Sequence, residues 1–101
     1  MTDSDLLPQI DFATFVLSLS HSALMHLGEA PDPETNETRV DLVLAKQNID
    51  IVGLLEDKTK GNLTGDEERL LAQILFDLRL RYVEKSKLVN AAKGGAPKTA
   101  G

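Results

Sequence analysis

Between Phe12 and Leu27 the chain reads FATFVLSLSHSALMHL, sixteen residues with no Asp, Glu, Lys or Arg. The chain as a whole is 27% charged, so an uncharged run of this length is expected inside the fold. Asp11 stands just before the run, where its carboxylate can accept from the free N–H groups of a first helical turn. Gly28 follows it and can adopt the left-handed conformation that ends a helix. At about 100° per residue, Phe12, Val16, Leu19, Ala23 and Leu27 share one face. Phe15 flanks that face on one side, and Ala13, Leu17 and Leu24 flank it on the other. The apolar surface therefore wraps more than half of the helix, whereas a single neighbouring helix covers only a stripe. A helix of this kind needs two or three neighbours, from its own chain or from a second copy.

A membrane span needs about 20 predominantly apolar residues. This run is shorter, and Thr14, Ser18, Ser20, His21, Ser22 and His26 interrupt it. Asp3 and Asp5 make the start acidic where a secretory signal is basic. The expectation is a cytoplasmic protein with no membrane partner. At 101 residues one domain is expected, with one modest core. With no Trp, one Tyr and three Phe, that core is aliphatic. The absence of Cys excludes disulfides, thiol catalysis and thiolate metal sites.

Charge is unevenly distributed. Residues 1–41 hold eight acids and one base, Arg39, for −7, and residues 42–101 hold eight acids and ten bases, for +2. From Arg79 onward six bases (Arg79, Arg81, Lys85, Lys87, Lys93, Lys98) face one acid, Glu84. Such asymmetry can draw a basic segment to an anionic partner, or it can be an ordinary solvated helix end.

In chain order, residues 1–10 form an acidic leader, with Leu7 and Ile10 expected against the start of the first helix. Residues 28–41 form a long acidic connection in which Pro31 and Pro33 prevent regular helix. Asp32, Glu34 and Asn36 match the first ligand spacings of a calcium loop. The match fails at Glu37, where glycine is needed, and at Val43, where a bidentate Glu is needed. Asp41 can cap a second helix over about 42–60, closed by Gly61. Leu44, Ile51, Val52 and Leu55 define its apolar face, with Ala45 and Ile49 beside them and Lys46, Asp50, Asp57 and Lys58 opposite. Asn48 falls within that face and is expected to be buried, bonded to a neighbouring backbone or fixing register with a partner.

Thr64 and Glu67 form a capping box that opens a third helix over about 65–89. Leu70, Leu71, Ile74, Leu75, Leu78 and Tyr82 form its core face, and Asp77 and Arg81 are spaced for an ion pair. The expected first and third helices are about 24 and 37 Å long, so the third overhangs the others or pairs with another subunit. Phe76, Leu80 and Val83 lie at about 240°, 280° and 220° on its wheel when Leu70 is set to 0°, on the side away from the core. They are the candidate oligomer interface, meeting themselves or the Phe15 side of the first helix in a second copy; the alternative is that the first helix or the leader folds over them within one chain. The tail from Ala91 is Gly-rich and expected to be disordered.

Candidate chemistry is sparse. His21 and His26 are about 140° apart around one helix, which is too divergent for one metal. His26, at the edge of the apolar face, is expected as a buried, bonded histidine. Ser18, Ser20 and Ser22 beside His21 diverge on the same helix and cannot form a nucleophile–base pair. The glycines lack phosphate-loop spacing. The expectation is a protein without catalytic residues, cofactor or metal.

Three segments resemble a known family. DFATFVLSLSHSALMHLGEAPDPET (Asp11 to Thr35), LAKQNIDIVGLLEDKTKGNLT (Leu44 to Thr64) and LFDLRLRYVE (Leu75 to Glu84) are similar to the bacterial domain of unknown function 1844. The PDPET loop and the KTKGNLT turn are the most distinctive parts. The resemblance implies a short, cytoplasmic, mostly helical bacterial protein, and it implies no activity or ligand. Taken together, the expectation is an all-α, three-helix domain over 11–90. Its expected role is that of a non-catalytic interaction protein, acting as a homodimer or with an unidentified protein partner. The alternative is a nucleic-acid or ribosome contact through the basic segment 79–98. Against it, the chain is acidic overall and the segment has a single aromatic, Tyr82.

Overall fold

Every helix start predicted from a capping residue is present in the computed structural model, which describes residues 10–94. Helix α1 spans Phe12–His26, α2 spans Leu42–Lys58 and α3 spans Gly65–Gly94. The fold is all-α, with no strand among the described residues. At α1 the Thr14 N–H donates to Asp11 Oδ1 at 2.8 Å, and at α2 the Leu44 N–H donates to Asp41 Oδ1 at 3.1 Å. At α3 both halves of the capping box form: the Thr64 N–H donates to Glu67 Oε1 at 2.9 Å and the Glu67 N–H to Thr64 Oγ1 at 3.2 Å. Each cap satisfies donors that a helix start leaves without an internal partner.

Helix α1 ends where the left-handed glycine was expected. Gly28 has φ +77°, its N–H donates to the Met25 carbonyl, and the Glu29 N–H donates to the Leu24 carbonyl. These two bonds are the Schellman pattern. The loop that follows closes on itself. Leu27 and Val40 form an isolated antiparallel bridge, and the Asp41 N–H donates to the His26 carbonyl at 2.7 Å. The closure explains Gly28 a second time, since a Cβ there would stand 2.7 Å from Val40 Cγ2.

The helices run up, down and up. Leu44 neighbours Met25 and His26, while Leu55 and Lys58 neighbour Phe15 at the other end of α1. Tyr82 of α3 neighbours Leu42 and Lys46 at the start of α2, while Leu71 and Ala72 neighbour Glu56 and Lys60 near its end. The core is aliphatic, as the composition implied: Val16, Ala23, Ile49, Val52, Leu71, Leu75 and Leu78 are buried together. Phe12, Leu19, Leu24, Leu55, Leu63, Ile74 and Tyr82 pack around them.

Three expectations are corrected. The buried arc of α2 is Ala45, Ile49 and Val52, while Leu44 and Ile51 stay substantially exposed. The arc is rotated by roughly 80° from the expected face. The reason is that α2 packs on both α1 and α3, so its small Ala45 and bare Gly53 turn inward and let the neighbours approach. Asn48 therefore sits at the edge of the buried arc and is half-buried, and His26, in the last turn of α1, is also half-buried. No polar or charged residue is buried among the described residues. Finally, α3 continues through Ala91 and Ala92 to Gly94, past the expected end at Val89. Alanine is the strongest helix former, and the pair of Gly residues at 94 and 95 is the first strong stop. Leader residues 1–9 and tail residues 95–101 lie outside the described residues.

Candidate interaction surface

At 30 residues α3 is about 45 Å long, twice the length of α1 at 15 residues. Its inner face inserts Leu71, Leu75 and Leu78 into the core at 1–2% exposure. Its outer face carries Phe76 at 70%, Leu80 at 48% and Val83 at 48% exposure. The outer three are successive at spacings of four and three residues, so they form one ridge along the helix. Phe76 borders a shallow surface hollow with Gln73, Ile74 and Asp77 of its own helix.

Phe15 does not join that ridge. It is 43% exposed and borders Ile51, Leu54, Leu55 and Lys58 across the α1–α2 seam. There it begins a second apolar surface, continued by Ile51, Leu54 and Val43 along the outside of α2. The sequence contained a signal for this surface. Leu44, Gln47, Ile51 and Leu54 recur at spacings of three, four and three. The same Leu44 and Ile51 also fit a core face on the wheel, which masks this signal in the sequence.

The basic segment is partly engaged within the chain. The Arg81 guanidinium donates to Asp77 Oδ2 at 2.8 Å and also pairs with Glu29, in the loop after α1. Lys85 Nζ lies 3.7 Å from the other Glu29 oxygen. Hydrogen bonds from Arg81 to Asp77 and Glu29 raise the guanidinium pKa above its ordinary value. Thus the acidic front and the basic end meet across α1 and α3 inside one chain.

A cleft lies under the acidic loop, lined by Met25, His26, Asp32, Thr35, Glu37, Arg39, Asp41 and Leu44. Two of its three carboxylates are engaged by local structure. Asp32 accepts from the Glu34 N–H at 2.8 Å, and Asp41 caps α2. Among the described residues no three His, Asp or Glu side chains gather closely enough to hold a metal ion. His21 is exposed, and the Ser18 hydroxyl donates to the Thr14 carbonyl at 3.0 Å. No described helix is long and apolar enough to cross a membrane.

Comparison with curated proteins and with solved structures finds no match. The family model described as domain of unknown function DUF1844 does match, over residues 9–84, which includes all of α1 and α2, the acidic loop and α3 as far as the outer ridge. The chain therefore belongs to the DUF1844 family.

Proposed function

We propose that this chain is a non-catalytic helical interaction protein that works as a homodimer, with the outer face of α3 as its contact. The observation that carries this reading is the ridge of Phe76, Leu80 and Val83, 70%, 48% and 48% exposed on a helix whose opposite face buries Leu71, Leu75 and Leu78. Burying a large apolar side chain is worth about 1.5–3 kcal/mol, so leaving three such side chains in water forgoes several kcal/mol. Small monomers seldom carry a contiguous apolar patch without a partner for it. A second copy is the partner always at hand, and a twofold dimer brings the same ridge from both sides.

The non-catalytic part of the reading is supported by the local engagement of the polar groups. Asp32 and Asp41 of the loop turn and cap the backbone, and the serine and histidine side chains of α1 diverge. Nucleic-acid contact is less favoured, because Arg81 and Lys85 already face Glu29 and the Tyr82 ring packs against the core. The test is light scattering on the natural chain and on Phe76→Asp combined with Leu80→Asp. The expected result is a dimer for the first and a monomer of unchanged helicity for the second. A double variant with the same mass as the natural chain would remove α3 as the contact.

A further inference from the structure

The ridge on α3 is the centre of a longer seam. Gln73, Phe76, Leu80, Val83 and Lys87 recur at spacings of three, four, three and four. That is the heptad seam of two helices packed side by side, over about two heptads and 22 Å. Two charged residues border it on opposite flanks. Arg79 directly precedes Leu80, and Glu84 directly follows Val83. Both are exposed, and neither has an ionic partner among the described residues. The Arg79 guanidinium rests over Gly53, 3.3 Å from where a Cβ would stand, with no counter-charge.

Helix direction decides what these flanks meet. In a parallel pair, one flank of each helix faces the opposite flank of the other, five residues further on. Arg79 then faces Glu84 of the second copy, and by symmetry the contact occurs twice. In an antiparallel pair each flank faces itself. Glu84 shares one flank with Asp77, so Glu84 would meet Glu84 or an Asp77 already paired with Arg81, while Arg79 would meet Arg79 or Ser86. Like charges brought together in this way disfavour that pairing.

From this charge pattern we infer that the two copies pair through parallel α3 helices, with Arg79 of each bonded to Glu84 of the other. The inference rests on the dimer proposed above and adds its direction and register. In this arrangement the α1–α2 hairpins project to opposite sides, because the seam lies about 150° around α3 from the buried leucines.

The chain has no Cys, so single cysteines report direction cleanly. Phe76→Cys and Val83→Cys are made separately and oxidised. Parallel pairing predicts that each crosslinks to its own kind. Antiparallel pairing permits self-crosslinking at no more than one of the two positions, and it joins a mixture of the two variants. A dimeric natural chain with crosslinking only in the mixture would overturn the direction and leave the dimer standing. A monomeric natural chain would remove both. The charge pair has its own readout. Arg79→Glu should weaken the dimer on the order of tenfold, since two exposed pairs become repulsive. Adding Glu84→Arg should restore it, which a purely structural role for Arg79 would not allow. An unchanged dimer in Arg79→Glu would exclude the pair.

Discussion

Leu78 and Leu80 are the same residue two positions apart on α3, yet one is 1% exposed and the other 48%. Leu78 belongs with Leu71 and Leu75 in the core, while Leu80 belongs with Phe76 and Val83 on the outside. The apolar chemistry is equal on both faces, and what differs is the presence of a neighbour. Helices α1 and α2 together cover only one side of α3, because they are shorter and both pack on its inner face. The outer ridge is thus a surplus of apolar surface that α1 and α2 leave uncovered. This contrast separates residues that hold the fold from residues available to a partner, a division that composition alone does not make.

The sharpest way to break the comparison is to truncate both leucines. Leu78→Ala should cost about 2–5 kcal/mol in chemical denaturation, through lost transfer energy and a cavity among Val52, Leu71 and Leu75. Leu80→Ala, measured at high dilution, should change stability by no more than about 0.5 kcal/mol. Equal costs would mean that the outer ridge is covered within the monomer.

Gly28→Ala comes next. It combines a φ of +77° with a Cβ only 2.7 Å from Val40 Cγ2. A loss of roughly 1–3 kcal/mol is expected, as for other residues forced into sparsely populated backbone regions. A thermal melt unchanged from the natural chain would refute the account of the loop closure.

A smaller effect is expected at Arg81. Its side chain is 42% exposed, so its pairs with Glu29 and Asp77 are screened by solvent. Arg81→Ala should lose about 0.2–1 kcal/mol at low ionic strength and less in high salt. A cost independent of salt would point to packing of the side-chain stem instead.

The smallest effect is a pH dependence at Asp11. The Thr14 N–H stabilises its carboxylate and lowers its pKa from the ordinary 3.8. A carboxylate with a depressed pKa stabilises the fold fully above the unfolded value. That contribution is lost as pH falls through the lower folded value. Denaturation midpoints should therefore drop below pH 3.8, and Asp11→Asn should flatten that part of the profile. An identical profile for the variant would assign the acid sensitivity to other carboxylates.

Features fixed by neighbours in sequence were legible before the fold was known. Asp11, Asp41, the Thr64–Glu67 box and Gly28 all act within a few residues of themselves, so their spacing suffices. The core faces of α1 and α3 were legible too, since Val16, Ala23 and the capping Leu27 of α1 and Leu71, Leu75 and Leu78 on α3 are buried on the arcs that their spacing predicts. Helix α2 departs from the face its spacing predicts because the small Ala45 turns inward beside Ile49 and Val52. The larger Leu44 and Ile51 outweighed Ala45, although smallness is what allows Ala45 to turn inward between two helices. Pairing of Leu27 with Val40, and of Glu29 with Arg81 and Lys85, joins positions far apart in sequence, and no local spacing encodes it. The outer ridge itself could be read from the wheel of α3. Its separation from Phe15 could not, since that depends on how α1 packs against α2.

Sedimentation velocity of the natural chain, from about one to about a hundred micromolar, bears most directly on whether a second copy covers α3. Each chain has a mass of 11.0 kDa. The account predicts a concentration-dependent shift towards a species of twice that mass, abolished by Phe76→Asp with Leu80→Asp. A single, well-folded 11.0 kDa species across the whole range would contradict it.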